Sequence, residues 1–133
     1  MVYHANRYLF KLRIYAHFIG SEDIMWTEIN RGNRVFDIVA LIELVDRSEK
    51  CEIRTYIHAY DYKTGILCDT ADYINAYSSD GMNIDNIIDF DDNEAIMNFI
   101  ISEFNESTNE SCFTNVHFKK LDKVMLPSIH IEI

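Results

Sequence analysis

Two stretches of strictly alternating apolar and polar side chains constrain the fold of this chain more than any other feature. In residues 7–19 the apolar side is formed by Tyr8, Phe10, Leu12, Ile14, Ala16 and Phe18. In residues 51–62 the corresponding side is formed by Cys51, Ile53, Thr55, Ile57 and Ala59. A repeat of two residues is that of a β-strand, whose successive side chains point to opposite faces. Each stretch therefore predicts a strand with one buried and one polar face.

Residues 34–45 lie between these stretches and are apolar on nearly every side. Periodicity alone does not separate a central strand from a buried helix in such a run. The richness in Val and Ile, together with the polar turn at residues 46–50, favours a strand. Residues 34–45 and 51–62 are therefore predicted to form a hairpin, which residues 63–65 close.

The rest of the chain predicts helices followed by two further strands. The strongest helical pattern is in residues 93–105, where Asp91 and Glu94 have the spacing of a capping box and Asp92 is the alternative cap. Residues 71–77 predict a brief helix, and residues 21–30 predict either a short helix or a strand. The remaining segments are predicted as a short strand beginning at 66–68, a docked loop or helical turn at 82–90, and closing strands at 113–119 and 124–133. Pro127 places the last of these strands at an edge or a bulge.

The predicted fold class is α+β, with an antiparallel sheet of four to six strands and two or three helices packed on one face. The 133 residues match the usual size of a single domain, so we predict one domain over residues 1–133. A chain of this length buries enough surface to fold without a metal or a disulfide. The pattern does not determine the order of the strands.

Charge is distributed unevenly along the chain. Residues 64–118 contain no Lys or Arg but eleven Asp and Glu, whereas the remaining residues carry twelve basic and eleven acidic side chains. The whole formal net charge of -10 therefore arises in this segment. Such a segment repels nucleic acid and anionic membranes and attracts basic protein surfaces.

The acidic residues in and around the predicted helix are the candidate partner-binding residues. They are Asp80, Asp85, Asp89, Asp91, Asp92, Glu94 and Glu106. Two simpler explanations compete with this interpretation, because acids are favoured at helix N-termini and because surface charge keeps a small protein soluble. A metal site is not predicted, since an EF-hand loop starting at Asp89 would need Gly and Glu where Glu94 and Ile100 stand.

A small hydrolase that uses histidines and carboxylates is the first alternative function. The five histidines, His4, His17, His58, His117 and His130, lie mostly in predicted strands. None begins the His-x-Ser/Thr pattern of two-histidine phosphoesterases, and no His-Glu-x-x-His motif, nucleophile elbow or phosphate-binding glycine loop occurs. No catalytic residue and no cofactor is therefore predicted. Glu103 falls on the apolar arc of the predicted helix, and we expect its carboxylate to reach water past its aliphatic stem.

Single-stranded nucleic-acid binding is the second alternative. Basic and aromatic residues alternate on the polar sides of the first and third predicted strands, and they are Lys11, Arg13, Tyr15, His17, Arg54, Tyr56, His58 and Tyr60. These residues could share one sheet face if the first and third strands are neighbours, and bases could then stack on the rings while cations contact phosphates. The acidity of the chain opposes this function, so a nucleic-acid partner is not favoured.

The leading hypothesis is a non-enzymatic inhibitor or binding protein whose acidic region occupies a basic groove of a partner. Nucleases, nucleic-acid-binding proteins and toxins carry such grooves, so a phage or viral counter-defence protein or a bacterial immunity protein fits. A cytoplasmic location is predicted, because three scattered cysteines indicate free thiols and no stretch has the length or composition of a membrane span or signal peptide.

Overall fold

The computed structural model describes residues 2–18, 32–46, 50–78, 88–107 and 113–132. These residues form five strands and one helix. In chain order the elements are β1 (Val2–Phe18), β2 (Gly32–Asp46), β3 (Lys50–Asp61), β4 (Leu67–Ser78), α1 (Asn93–Ser107) and β5 (Phe113–Glu132). The predicted antiparallel sheet is thereby confirmed. The prediction of two or three helices is wrong for the described part of the chain, which contains one.

The five strands form a single sheet in the order β4-β3-β2-β1-β5. Every neighbouring pair is antiparallel, so β1 to β4 form a meander and β5 returns to the far side of β1. The predicted hairpin is confirmed and consists of β2 and β3. Its pairing begins with Asp46 opposite Cys51 at the turn and ends with Phe36 opposite Asp61. Since β2 lies between β1 and β3, the two alternating stretches are not direct neighbours.

Two local predictions are wrong, and the cause in both is pairing with a distant strand. Residues 71–77, predicted as a brief helix, belong to β4 and pair with β3, as in the match of Ala71 with Ile57. The two predicted closing strands form one continuous strand of 20 residues, β5. Register shifts interrupt its pairing with β1, and one lies where Pro127 stands between Leu126 and Ile129. The prediction of an edge or bulge at Pro127 is confirmed.

The hydrophobic core lies between α1 and the face of the sheet that carries the apolar side chains of the alternating stretches. We call this the inner face and the opposite side the outer face. Phe10, Phe18 and Phe36 of the sheet and Phe104 of the helix are among the largest fully buried side chains. Ile96 and Ile100 recur at helical spacing and are also fully buried, which explains why residues 93–105 were predictable as a helix.

Contacts at both ends fix α1 on the inner face. Just before the helix, the Phe90 ring stacks on Tyr8 of β1, with 4.6 Å between ring centroids. Near its end, the Asn105 side chain donates a hydrogen bond to the carbonyl of Phe113 and accepts one from the amide of the same residue, at 3.1 and 3.0 Å. The helix is thus clamped to β1 at one end and to β5 at the other.

The turn between β3 and β4 is organised by the buried carboxylate of Asp61. Its Oδ1 accepts hydrogen bonds from the amides of Lys63 and Thr64, and its Oδ2 pairs with Arg34 at 2.9 Å. Burial by itself raises the pKa of Asp61, but these bonds outweigh burial and the pKa is lowered. Gly65 adopts φ of 70°, a left-handed conformation that disfavours a side chain. This turn fixes where β4 begins.

Candidate protein-binding surface

Four of the predicted partner-binding acids lie together at the start of α1. Asp89, Asp91, Asp92 and Glu94 fall within six consecutive residues, and all four are exposed. We call these four residues the acidic cluster. Asp80 and Asp85 lie outside the described residues.

Glu106 is exposed but stands apart from the cluster. It follows Glu94 by twelve residues along α1, a distance of roughly 18 Å at the rise of an α-helix. The structure therefore groups four of the predicted residues and places a fifth at the other end of the helix.

Backbone hydrogen bonds hold the acidic cluster in place. Asp92 is the helix cap, because its Oδ1 accepts bonds from the amides of Glu94 and Ala95 at 3.0 and 3.3 Å. Asp92, which the sequence analysis gave as the alternative cap, is therefore the observed cap. The predicted capping box of Asp91 with Glu94 is wrong. Asp89 Oδ1 accepts a bond from the Asp91 amide at 3.0 Å. The carboxylates of Asp89 and Asp92 therefore accept backbone hydrogen bonds that fix the start of the helix.

The ion pairs between described side chains use acids from elsewhere in the chain. They are Arg13 with Asp37, Arg34 with Asp61, Arg54 with Glu52, and Lys120 with Asp122. All four carboxylates lie outside residues 64–118. Within the described part of the chain, the acidic cluster enters no ion pair.

An apolar groove adjoins the acidic cluster. It has a volume of about 300 Å³ and lies between the segment before α1 and the edge strand β5. Met125 and Val124 are 67% and 48% exposed, an unusual degree for large apolar side chains in an ordered strand. The groove is lined by Tyr8, Phe10, Phe90, Asp91, Lys123, Val124 and Met125.

Sequence reasoning did not find this groove. Met125 pairs with Tyr8 in the sheet, and Phe90 stacks on the same Tyr8 ring. These residues are far apart in the chain and meet only because β5 returns to β1. Nothing in the local pattern around Met125 indicates that pairing.

Glu103 is buried, which corrects the expectation that it reaches water. The residue is 8% exposed, and its Oε2 has no hydrogen-bond partner among the described residues. Burial, followed by the nearby charge of Glu106, raises the pKa of Glu103 to about 7. An uncharged carboxyl group is easier to bury than a carboxylate, so the burial of Glu103 links the packing of the helix to pH.

The outer face carries the alternating basic and aromatic residues considered for nucleic-acid binding. Arg13 forms two hydrogen bonds to Asp37, at 2.8 and 3.2 Å, and its guanidinium lies 4.1 Å from the centre of the Tyr62 ring. Arg54 donates two hydrogen bonds to one carboxylate oxygen of Glu52, at 3.2 and 2.9 Å. Both arginines are thus neutralised by carboxylates of the same face, which weakens their attraction for phosphate.

The chemistry of a hydrolase is not assembled among the described residues. His58 contacts the Tyr60 hydroxyl at 3.3 Å, and the His117 ring lies against Tyr15. Neither the groove beside the acidic cluster nor the two pockets that Tyr62 lines on the other side of the sheet contain a histidine. Within this part of the chain, no three His, Cys, Asp or Glu side chains are grouped so as to hold a metal ion. Cys68 is a buried free thiol whose pKa burial raises to about 11, so it is a poor nucleophile.

Comparison of the chain with protein-family models, curated proteins and solved structures finds no match. Among the described residues, no helix has the length and apolar character needed to cross a membrane.

Proposed function

We propose that this protein is a non-enzymatic binding protein or inhibitor that docks its acidic cluster and the adjoining apolar groove onto a basic surface of a partner protein. The observation that carries the proposal is the contact between the two features. Asp91 belongs to the acidic cluster and also lines the groove beside Met125. An apolar patch with polar and charged side chains at its rim is the arrangement expected at an interface.

The two features have different roles in binding. The groove accepts an apolar or aromatic side chain of the partner, and its desolvation supplies most of the affinity. The acidic cluster pairs with Lys or Arg around that anchor, speeds association and fixes the register of the complex. Because the clamped helix holds the carboxylates in place before binding, little conformational entropy is lost on association.

The partner class follows from the charge. Nucleases, nucleic-acid-binding proteins and toxins present basic surfaces because they bind phosphate, and an array of carboxylates competes for the same surface. A phage or viral counter-defence protein or a bacterial immunity protein acts in this way. The protein would then block its partner by occupying the phosphate-binding groove.

Affinity purification from the native host, followed by mass spectrometry, tests the proposal. The test variant combines Asp89→Asn, Asp91→Asn and Glu94→Gln and keeps the cap residue Asp92. The control combines Asp69→Asn, Asp72→Asn and Glu106→Gln, which removes the same formal charge outside the acidic cluster and outside the lining of the groove. We expect the native protein and the control to retain a basic partner that salt releases, and the test variant to lose it.

A partner that both triple variants retain would overturn the acidic cluster as the docking site. A partner that both lose would show that net charge, and not the cluster, determines binding. Met125→Ala provides an independent check of the groove, since we expect it to weaken the same complex without changing its dependence on salt.

A further inference from the structure

The C-terminal end of α1 buries two neighbouring side chains of opposite character. We call residues 103–107 the terminal turn. Glu103 is buried, and its Oε2 has no hydrogen-bond partner among the described residues. Phe104, the next residue, is fully buried. Burial of the aromatic ring stabilises the docked turn, whereas burial of a carboxylate without a partner is costly.

The charges of α1 itself add to the cost of ionising Glu103. Glu106 follows three residues later, and like charges at this spacing on a helix repel each other. The helix contains no Lys or Arg, and no basic residue stands in its last turn. Both carboxylates therefore lie at the end of the helix where its dipole disfavours negative charge.

The strands that pack against α1 supply no cation to Glu103. These strands are β3, β4 and β5. The titratable side chains that the structure describes on their inner side are Asp61, Cys68, Asp69 and Lys123. Asp61 is bound to Arg34, and Lys123 donates to the carbonyl of Phe90 at the opposite end of the helix. Only loss of the proton charge, or movement to water, relieves a buried Glu103.

Phe113 is the anchor of the terminal turn on the sheet. The rings of Phe104 and Phe113 have centroids 5.2 Å apart, and the Asn105 side chain exchanges two hydrogen bonds with the Phe113 backbone. Glu103 lies four residues before Ser107, where the helix ends. Because one helical turn is about 3.6 residues, release of this single turn brings Glu103 to solvent.

We propose that the terminal turn of α1 is a pH-sensitive switch, which is docked on the sheet while Glu103 is neutral and released when Glu103 ionises, with the rest of the fold intact. An ionised carboxylate is solvated only in the released state, so loss of the proton shifts the equilibrium toward release. This inference does not rest on the function proposed above, because the acidic cluster lies at the opposite end of α1.

The range of the switch follows from the two environments of Glu103. The pKa of Glu103 is about 7 in the docked turn and has its ordinary value of 4.5 when the group is exposed. Between these values the docked state binds more protons than the released state. Release is therefore favoured increasingly as the pH rises from about 4.5 to about 7 and is not favoured further above that range.

Amide hydrogen exchange of the whole protein, followed by NMR between about pH 5 and 8, tests the proposal. Protection factors correct for the pH dependence of exchange itself and detect opening even when the open state is rare. We expect opening of residues 104–107 and of the Phe113 amide to increase by about tenfold or more over this range. This opening should depend little on low concentrations of urea, unlike that of Ile38 and Ile42 in the centre of β2, because little surface is exposed.

Variants of the two glutamates separate the switch from other effects of pH. Glu103→Gln and Glu103→Met should both abolish the pH dependence of opening in the terminal turn. The methionine variant adds no polar group to the core, so it also covers the case in which a buried amide destabilises the fold. Glu94→Gln, an exposed substitution on the same helix, is the control and should retain the dependence. Glu106→Gln should move the response to lower pH, because it removes the neighbouring charge.

The proposal is overturned by any of three results. In the first, protection of the terminal turn in the native protein does not change with pH. In the second, both Glu103 variants retain the native pH dependence. In the third, the terminal turn and the centre of β2 open with the same equilibrium constant and the same dependence on urea, since the turn would then be released only when the whole protein unfolds.

Discussion

The burial of Glu103 makes the stability of the folded protein depend on pH. In the unfolded chain its carboxyl group has an ordinary pKa of 4.5, and in the folded protein the pKa is about 7. Between these values the folded state binds more protons than the unfolded state. The free energy of unfolding therefore falls as the pH rises from about 4.5 to about 7, and this group adds no further change above that range.

Glu103→Gln should remove this pH dependence. The substitution keeps the size of the side chain but carries no charge, so we expect it to raise the free energy of unfolding at about pH 8 by about 1–3 kcal/mol. Urea unfolding measured at several pH values between about 5 and 8 provides the test. Glu94→Gln, an exposed substitution on the same helix, is the control. If Glu103→Gln leaves the slope between pH 5 and 7 intact, a different group is responsible for it.

At the scale of the element, α1 depends on its cap. Asp92→Ala removes the carboxylate that accepts bonds from two amides of the first turn and should destabilise the protein by about 1 kcal/mol. Asp91→Ala removes an equal charge but no cap, and we expect little change. Asp92→Asn should restore most of the lost stability, because its side-chain oxygen accepts the same bonds. Thermal unfolding followed by circular dichroism measures all three, and equal losses for Asp91→Ala and Asp92→Ala would contradict the assignment of the cap.

At the scale of the whole molecule, the distribution of charge separates protein binding from nucleic-acid binding. The outer-face arginines Arg13 and Arg54 are each bonded to a carboxylate, and the net charge is -10. We therefore expect no binding of a labelled single-stranded oligonucleotide at moderate salt, measured by fluorescence anisotropy. Binding that is abolished by Arg13→Ala combined with Arg54→Ala would instead establish the outer face as a nucleic-acid site.

Local pattern was sufficient for β1, β3 and α1, because in each of them the spacing of buried side chains matches the repeat of the element. β2 was predicted instead from its Val and Ile content and from the polar turn after it. Phe10 and Leu12 are buried at period two, and Ile96 and Ile100 at the spacing of one helical turn. Four of the acids proposed as a site are exposed and close together, since one short segment holds them. Their role in binding remains a prediction.

The sequence by itself determined which faces of the strands and the helix are apolar and that the excess of negative charge arises in one segment, because both properties depend on residues close together in the chain. Only the tertiary structure decided that residues 71–77 form an edge strand, that Met125 meets Tyr8 beside the acidic cluster, and that Glu103 is buried. These features arise from pairing between residues far apart in the chain, and the free energy of that pairing overrides local propensity. The proposed binding surface belongs to this second group, since it combines a local charge pattern with neighbours that only the sheet brings together.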